Sequence, residues 1–366
     1  MKNNTRNSLK KGTPDMWLFL ITLFLVGIGI IMVFSASYYD TLSSDPFEYL
    51  KRQGSFAAIG VVVMLIAMNF DYQRYRYFYK PLLVMTLVLL VVVFLFEDTK
   101  GSHRWIPLGI INLQPSEIAK FTLALFLAVF LSRREADPND LRGDLGRVII
   151  VLGLVLGLVL IEPDLGATMS LAGMSMVILI AAGLKWFYVA AAAVVGGGGV
   201  VFVIMNSEYQ MRRIMGWLDP WGDPADTGYQ LINSLYALGS GGFWGMGIGN
   251  SRQKLGFLPE QNTDFIFSII GEELGFIGAG FVVMLFLFFA WRGYMIAVRC
   301  PDLYGSLLAV GITTSLVFQA ALNLGVVTGC LPVTGIALPF LSYGGSSLLM
   351  SMGSVGVLLN ISRYRK

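Results

Sequence analysis

The chain has 366 residues, of which 55% are hydrophobic and only 13% are charged, whereas a soluble domain carries about 25% charged residues. This composition excludes a soluble enzyme. The net charge of +3 comes from 26 basic and 23 acidic residues, so no strongly charged surface is expected and nucleic-acid binding is excluded. One histidine and two cysteines leave almost no ligands for zinc, iron–sulfur or haem sites, so any metal must be bound by oxygen atoms.

Ten apolar segments are candidates for crossing a bilayer, which takes about 20 residues, and the fifth of them is short. The predicted fold class is therefore an all-α, polytopic integral membrane protein with about ten transmembrane helices. The segments run approximately over 16–36, 54–69, 81–96, 115–131, 147–161, 165–184, 186–205, 265–290, 304–326 and 340–361. The first segment also resembles a signal peptide, but its apolar stretch over 16–34 is long for one and favours an uncleaved anchor.

Orientation follows from the positive-inside rule, because most of the 26 Lys and Arg residues fall on one side when both termini are placed in the cytoplasm. The predicted organisation has five parts: a cytoplasmic tail over 1–15, seven spans over 16–205, one large extracytoplasmic loop with interfacial helices over 206–264, three spans over 265–361, and a cytoplasmic tail over 362–366. Function tends to concentrate in long loops on a rigid scaffold. The outer face is therefore where we expect the site.

Polar residues at membrane depth need an explanation. Glu117 and Lys120 are three residues apart in the fourth span and share one helix face. Glu117 also has an ordinary interpretation, because it follows Pro115 at a helix N-terminus. Lys120 has no such interpretation, and we predict that it forms an ion pair with Asp164 at the outer ends of the next two spans.

The end of the large loop is rich in glycine over 239–249 and is followed by Arg252 and Lys254. Successive backbone N–H groups of such a segment can bind an anion, and the two cations add to the attraction. A flexible loop is an equally good explanation of the glycines. The glycine spacing does not match a nucleotide-binding fingerprint.

Asp264 stands where the eighth span begins, next to Thr263. Both residue types commonly cap a helix, which is the simpler interpretation. Glu272 and Glu273 follow in the same helix, so at least one of them faces protein or water. A carboxylate beside a cationic, glycine-lined cleft could instead act as a general base or a metal ligand.

Further cations lie on the same predicted face: Arg52, Arg104 beside Trp105, and Arg212 beside Arg213. Surface solvation explains any one of them. Several clusters on one face of the membrane indicate an anionic ligand, which we predict to be a lipid head group such as a diphosphate.

At these positions the sequence resembles the SEDS family of shape, elongation, division and sporulation proteins, which includes FtsW, RodA and SpoVE. The matching strings occur in family order along almost the whole chain and are GSHRW (101–105), QPSEIAK (114–120), PDLG (163–166), PEQNTDFIF (259–267), GEELG (271–275), PVTG (332–335) and LPFLSYGGSS (338–347). The strings DPW (219–221), SRQK (251–254) and LLNISRY (358–364) look most like the FtsW and SpoVE branch.

The resemblance implies a multi-pass protein of the bacterial inner membrane that polymerises lipid II into glycan strands in cell division or sporulation. Its implied partners are lipid II, a class B penicillin-binding transpeptidase, other division or sporulation membrane proteins, and membrane lipid. Asp264 would deprotonate the acceptor hydroxyl or hold a divalent cation, Mg²⁺ or Mn²⁺, and no organic cofactor is implied.

The family positions matched by this chain also imply a supporting pair, Lys120 with Asp164. The predicted substrate-binding residues are Arg52, Trp105, Glu117, Arg213, Arg252 and Lys254. The chain departs from the family in having Glu162 where Gln is common. That change alters the local charge but removes none of the implied catalytic groups.

Two other functions remain alternatives. A lipid II flippase has also been proposed for this family, but transporters usually bind substrate near the bilayer midplane between repeated halves, and the sequence has no convincing repeat. A non-catalytic scaffold would need none of the acidic and basic residues on the outer face.

Overall fold

The computed structural model describes residues 12–39, 41–42, 45–96, 104–109 and 112–364. The first part of the predicted N-terminal tail and the motif residues 101–103 lie outside the described residues. The helices are α1 (Met16–Ser37), α2 (Glu48–Asn69), α3 (Tyr72–Tyr75), α4 (Tyr79–Val92), α5 (Pro115–Leu131), α6 (Asp144–Ile161), α7 (Leu165–Ala181), α8 (Trp186–Asn206), α9 (Glu208–Leu218), α10 (Tyr229–Gly241), α11 (Ile266–Arg299), α12 (Leu303–Val327) and α13 (Gly345–Ser362).

Short elements complete the described residues. Two 3₁₀ turns cover Val93–Leu95 and Pro220–Gly222. The strands β1 (Ile106–Pro107) and β2 (Asn112–Leu113) pair antiparallel just before α5. They fold the segment before α5 back on itself, which places residue 104 near the N-terminal end of that helix.

Ten of these helices coincide with the ten predicted spans, namely α1, α2, α4 to α8 and α11 to α13. Seven described helices are long and apolar enough to cross a membrane by length and composition alone, and two shorter apolar helices cover 79–95 and 165–181. The remaining one is α5, which carries Glu117 and Lys120. The prediction of an all-α polytopic membrane protein is therefore confirmed.

The core of the bundle is α12, which contacts α5, α7, α11 and α13. In the most apolar stretch of α12, 72% of the residues are buried, whereas α8 has no buried residue. The chain between α12 and α13 is irregular but buried, with Leu338, Phe340 and Leu341 almost fully enclosed. Irregular backbone at membrane depth is tolerated where protein surrounds it and satisfies its polar groups.

Helix α11 bends at Gly275, whose φ of 69° is in the left-handed region that glycine adopts most readily. At the bend, the backbone N–H groups of Met246 and Gly247 donate to the carbonyls of Glu272 and Glu273 at 3.0 Å. The glycine-rich part of the large loop is thus hydrogen-bonded to the broken helix.

Candidate active site

Asp264 lies in the turn before α11 and does not cap that helix, because Phe265 is at the N-cap and no side-chain capping bond forms. The Asp264 carbonyl accepts a 2.7 Å hydrogen bond from Asn323 Nδ2, which also donates to the carbonyl of Ile336 at 2.7 Å. Asn323 is buried on α12. One amide therefore fixes the Asp264 turn against the segment that follows α12.

Two more links connect the same segments. Ser342 Oγ donates to the carbonyl of Thr263 at 2.5 Å, and the Tyr343 N–H donates to the carbonyl of Asn262 at 2.8 Å. The Leu338 N–H in turn donates to Ser342 Oγ at 2.7 Å. The backbone on both sides of the Asp264 side chain is thereby held in place.

Three charged groups converge on Gly335, which has a φ of 72°. A Cβ atom built on this glycine would lie 3.3 Å from Arg104 Nη1, 3.4 Å from Asp264 Oδ2 and 4.0 Å from Arg213 Nη1. A carboxylate and two guanidinium groups therefore face one small gap. The absence of a side chain at Gly335 keeps that gap open.

Both arginines are anchored to backbone carbonyls. Arg104 Nη2 donates to the carbonyl of Pro163 at 2.6 Å, and its Nε lies 3.7 Å from Asp164 Oδ2. Arg213, on α9, donates from Nη1 to the carbonyl of Val333 at 3.0 Å. Burial lowers the pKa of Arg213 below its ordinary value. Anchored guanidinium groups of this kind are suited to binding phosphate oxygens.

The pKa of Asp264 is raised to about 7, mainly by burial and also by the negative charge of Glu260, while the positive charges of Arg104 and Arg213 act in the opposite direction. A general base works best when its pKa is close to the working pH. Asp264 therefore has the protonation behaviour that proton abstraction at neutral pH requires.

The predicted ion pair between Lys120 and Asp164 is wrong. Lys120 Nζ lies 2.7 Å from Glu117 Oε1 and 2.6 Å from Gln319 Oε1, because a partner three residues away on its own helix is within reach. Asp164 instead caps α7, accepting from the Ala167 N–H at 2.9 Å. The substrate contact predicted for Glu117 is untested, and its carboxylate is occupied by Lys120.

The substrate contact predicted for Lys254 is untested, and its ammonium group is occupied within the protein. Its side chain is 1% exposed, and Nζ lies 2.8 Å from Glu273 Oε1 and 3.1 Å from Ser35 Oγ. A buried carboxylate needs such a partner, which explains where the lysine goes. The Arg252 N–H donates to Glu272 Oε1 at 2.9 Å, but the Arg252 side chain is exposed.

The other two predicted contact residues are not among the three groups nearest to Gly335. Arg52 is exposed and pairs with Glu48 of its own helix at 2.8 Å. Trp105 is half-buried beside Arg104. The structure brings neither side chain to the gap at Gly335, and their predicted substrate contacts stay predictions.

The donor set does not fit a metal site built by the protein alone. Among the residues that the structure describes, no group of three or more His, Cys, Asp or Glu side chains could hold a metal ion. The neighbours of Asp264 at the gap are two guanidinium groups, which repel a cation. The prediction of Asp264 as the ligand of Mg²⁺ or Mn²⁺ is untested.

The prediction missed residues that act through the backbone. Asn323 and Gln319 are four residues apart on α12 and thus on one helix face, and Gln319 Nε2 donates to the carbonyl of Ala337 at 2.9 Å. Two amide side chains on one face of an apolar helix are the sequence signal that indicates buried hydrogen bonds to neighbouring backbone. Nothing in the sequence indicated that Gly335 would lie against Asp264.

Comparison with known proteins identifies the family. A family model described as "Cell cycle protein" and covering FtsW, RodA and SpoVE matches residues 16–366. The chain belongs to this family. It is similar to stage V sporulation protein E of Bacillus subtilis, with 45% identity over 98% of the chain and 99% of the relative. It is also similar to a probable peptidoglycan glycosyltransferase FtsW of Geobacter metallireducens, with 40% identity over 96% of the chain and 95% of the relative.

Solved structures of the FtsW, RodA and SpoVE family share the fold. A chain described under "Structural coordination of polymerization and crosslinking by a peptidoglycan synthase complex" superposes with a TM-score of 0.78 and 29% identity, covering 96% of this chain and 98% of that one. Rod shape determining protein RodA of Thermus thermophilus gives a TM-score of 0.71 and 27% identity over 96% and 97%. The predicted resemblance to the family, and to its FtsW and SpoVE branch, is confirmed.

Proposed function

We propose that the chain is a peptidoglycan glycosyltransferase that polymerises lipid II into glycan strands during division or sporulation septum synthesis. The observation that carries the proposal is the convergence of Asp264 Oδ2, Arg104 Nη1 and Arg213 Nη1 on the gap at Gly335. The matching names among relatives, which are peptidoglycan glycosyltransferases and a sporulation protein, support it.

The chemistry assigns one role to each charge. Asp264 accepts the proton of the acceptor sugar's 4-hydroxyl as that oxygen attacks the anomeric carbon of the donor. The bond from the anomeric carbon to the lipid diphosphate breaks, and Arg104 and Arg213 stabilise the negative charge that the departing diphosphate carries. The three groups lie close enough to act on a single sugar–diphosphate linkage.

Preorganisation comes from the hydrogen bonds that hold the segments around the gap. Asn323 fixes the Asp264 backbone, and the carbonyls of Pro163 and Val333 fix the two arginines. Catalytic groups held in this way need little rearrangement when charge develops in the transition state. A divalent cation enters the proposal only as an ion bound largely by the substrate's own diphosphate.

The partner in this proposal is a class B penicillin-binding transpeptidase, since one similar chain comes from a synthase complex that couples polymerisation and crosslinking. The protein is a multi-pass membrane protein. We place it in the bacterial inner membrane with its site on the outer face, among membrane lipid and other division or sporulation membrane proteins.

The test is a gel assay of glycan strands made from lipid II by purified protein, with and without the transpeptidase partner. Asp264→Asn should lower polymerisation by about 10²- to 10⁴-fold, because proton abstraction is lost. Asp226→Asn is the matched control, since Asp226 is an exposed carboxylate in the same loop that pairs with Arg212. It should polymerise like the wild type.

Two results would contradict the proposal. Polymerisation by a folded Asp264→Asn variant at the wild-type rate would remove this carboxylate from the mechanism. Absence of polymer from the wild type under every condition, together with lipid II movement across vesicle membranes, would favour the flippase alternative.

A further inference from the structure

Glu162 is a buried carboxyl group that has no hydrogen-bond partner among the residues that the structure describes. It follows the last residue of α6, is 0% exposed, and neither of its carboxyl oxygens is hydrogen-bonded. Burying an unpaired carboxylate is strongly unfavourable, so such a group either stays protonated or recruits a cation. The proposed mechanism uses no proton of Glu162.

The charges that act on Glu162 come from the two segments packed around it. The pKa of Glu162 is raised to about 8, mainly by burial and also by the negative charge of Asp164, while the positive charge of Arg104 acts in the opposite direction. The C-terminal end of α6 adds partial negative charge of the same sign as a carboxylate. At neutral pH the group is therefore mainly a neutral acid.

Arg104 has an unused donor in the same place. Its Nε is buried without a hydrogen bond, at 3.7 Å from Asp164 Oδ2. Its other nitrogens are directed to the Pro163 carbonyl and to the gap at Gly335. The turn between α6 and α7 thus contains an unpaired acid, and Arg104, which donates to the Pro163 carbonyl of that turn, has an unpaired donor. The same arginine belongs to the candidate active site.

We propose that Glu162 is a positioning residue for Arg104. As a neutral acid, Glu162 leaves the guanidinium directed towards Asp264. Once its proton has been lost to solvent, the carboxylate attracts the guanidinium into the turn between α6 and α7 and withdraws it from the gap. The effect on polymerisation rests on the proposed glycosyltransferase function, whereas the protonation state of Glu162 does not.

The first test is the pH profile of polymerisation in the complex with the transpeptidase partner. The wild-type rate should fall several-fold between about pH 7 and about pH 9, and Glu162→Gln, which resembles the neutral acid, should keep its rate over that interval. Glu135→Gln is the matched control, because Glu135 is an exposed carboxylate in the connection between α5 and α6, at the other end of α6 from Glu162. Its profile should follow the wild type.

Two outcomes of this test would overturn the inference. One is a Glu162→Gln profile that falls with the wild type. The other is a folded Glu162→Gln variant that is inactive at neutral pH, which would mean that the ionised form is the working one. Folding is checked by elution as a single species and by thermal unfolding.

The second test needs neither activity nor the Glu162→Gln variant. Infrared spectra of the Asp264→Asn protein, which lacks the other carboxyl group titrating near neutrality, should contain the carbonyl band of a protonated carboxylic acid at pH 7. The band should disappear with a midpoint near pH 8. Absence of that band at pH 7 overturns the inference, even if the protein polymerises lipid II.

The two tests separate the two proposals. A wild type that makes no polymer at any pH refutes the glycosyltransferase, and the infrared titration then still decides the protonation of Glu162. A titrating band combined with a pH profile unchanged by Glu162→Gln refutes the positioning role alone.

Discussion

Replacing Lys254 with Met should destabilise the protein strongly, because it removes the cation from a buried ion pair. The two side chains are 1% and 0% exposed, and Lys254 Nζ lies 2.8 Å from Glu273 Oε1. After the replacement, Glu273 keeps only Ser35 Oγ at 2.7 Å and the Ser251 N–H at 3.3 Å. Breaking such a pair by removing one partner costs about 3–5 kcal/mol.

The assay is thermal unfolding of purified variants in one detergent, followed by tryptophan fluorescence. For a chain of this size we expect the melting temperature of Lys254→Met to fall by roughly 6–12 °C. Lys51→Met is the matched control, since Lys51 Nζ lies 2.7 Å from Asp45 Oδ2 with side chains that are 68% and 45% exposed. Because solvent screens an exposed pair, the melting temperature of Lys51→Met should stay close to that of the wild type.

A second variant removes the charge that the first one leaves behind. The double replacement Lys254→Met with Glu273→Gln should recover most of the lost melting temperature, since the remaining amide is neutral. The reasoning is refuted if Lys254→Met melts within about 2 °C of the wild type, or if the double variant is no more stable than the single one. An unchanged KM for lipid II in Lys254→Met would further separate this residue from substrate binding.

Other replacements test the gap, the bend and the base. Gly335→Ala should reduce polymerisation at least tenfold while the protein still folds, because its Cβ would lie 3.3 Å from Arg104 Nη1 and 3.4 Å from Asp264 Oδ2; the glycan gel assay measures this. Gly275→Ala should lower the yield of folded protein, since its Cβ would lie 2.3 Å from the Gly245 nitrogen; size-exclusion chromatography measures this. The pKa of Asp264 is about 7, so polymerisation should fall about tenfold per pH unit below pH 7 as this carboxylate becomes protonated. A pH–rate profile that stays flat down to pH 5 would contradict this.

The helices were predictable because the bilayer sets a length that the apolar runs of the sequence must match. Helix α5 was predicted correctly although it contains Glu117 and Lys120. The two charges lie on one helix face and neutralise each other at 2.7 Å. A pair of this kind can be buried in a span without breaking it.

Side-chain partners were harder to predict, because sequence distance says nothing about which loops meet. The sequence predicts Asp164 as the partner of Lys120, but Arg104 reaches Asp164 from the segment before α5. The glycine-rich loop before Lys254 favours an anionic ligand for this lysine. In the structure, the carboxylate of the buried Glu273 pairs with the lysine instead.

The buried amides of α12 connect the stability of the bundle to the geometry of the site. Irregular backbone inside a membrane protein requires donors for its carbonyl groups, and Asn323 and Gln319 supply them to Asp264, Ile336 and Ala337. Gln319 also accepts from Lys120 at 2.6 Å. The hydrogen bonds that satisfy the backbone of the segment after α12 are therefore the ones that place Asp264 opposite the two arginines. One set of contacts thus satisfies the buried backbone polar groups and preorganises the proposed catalytic group.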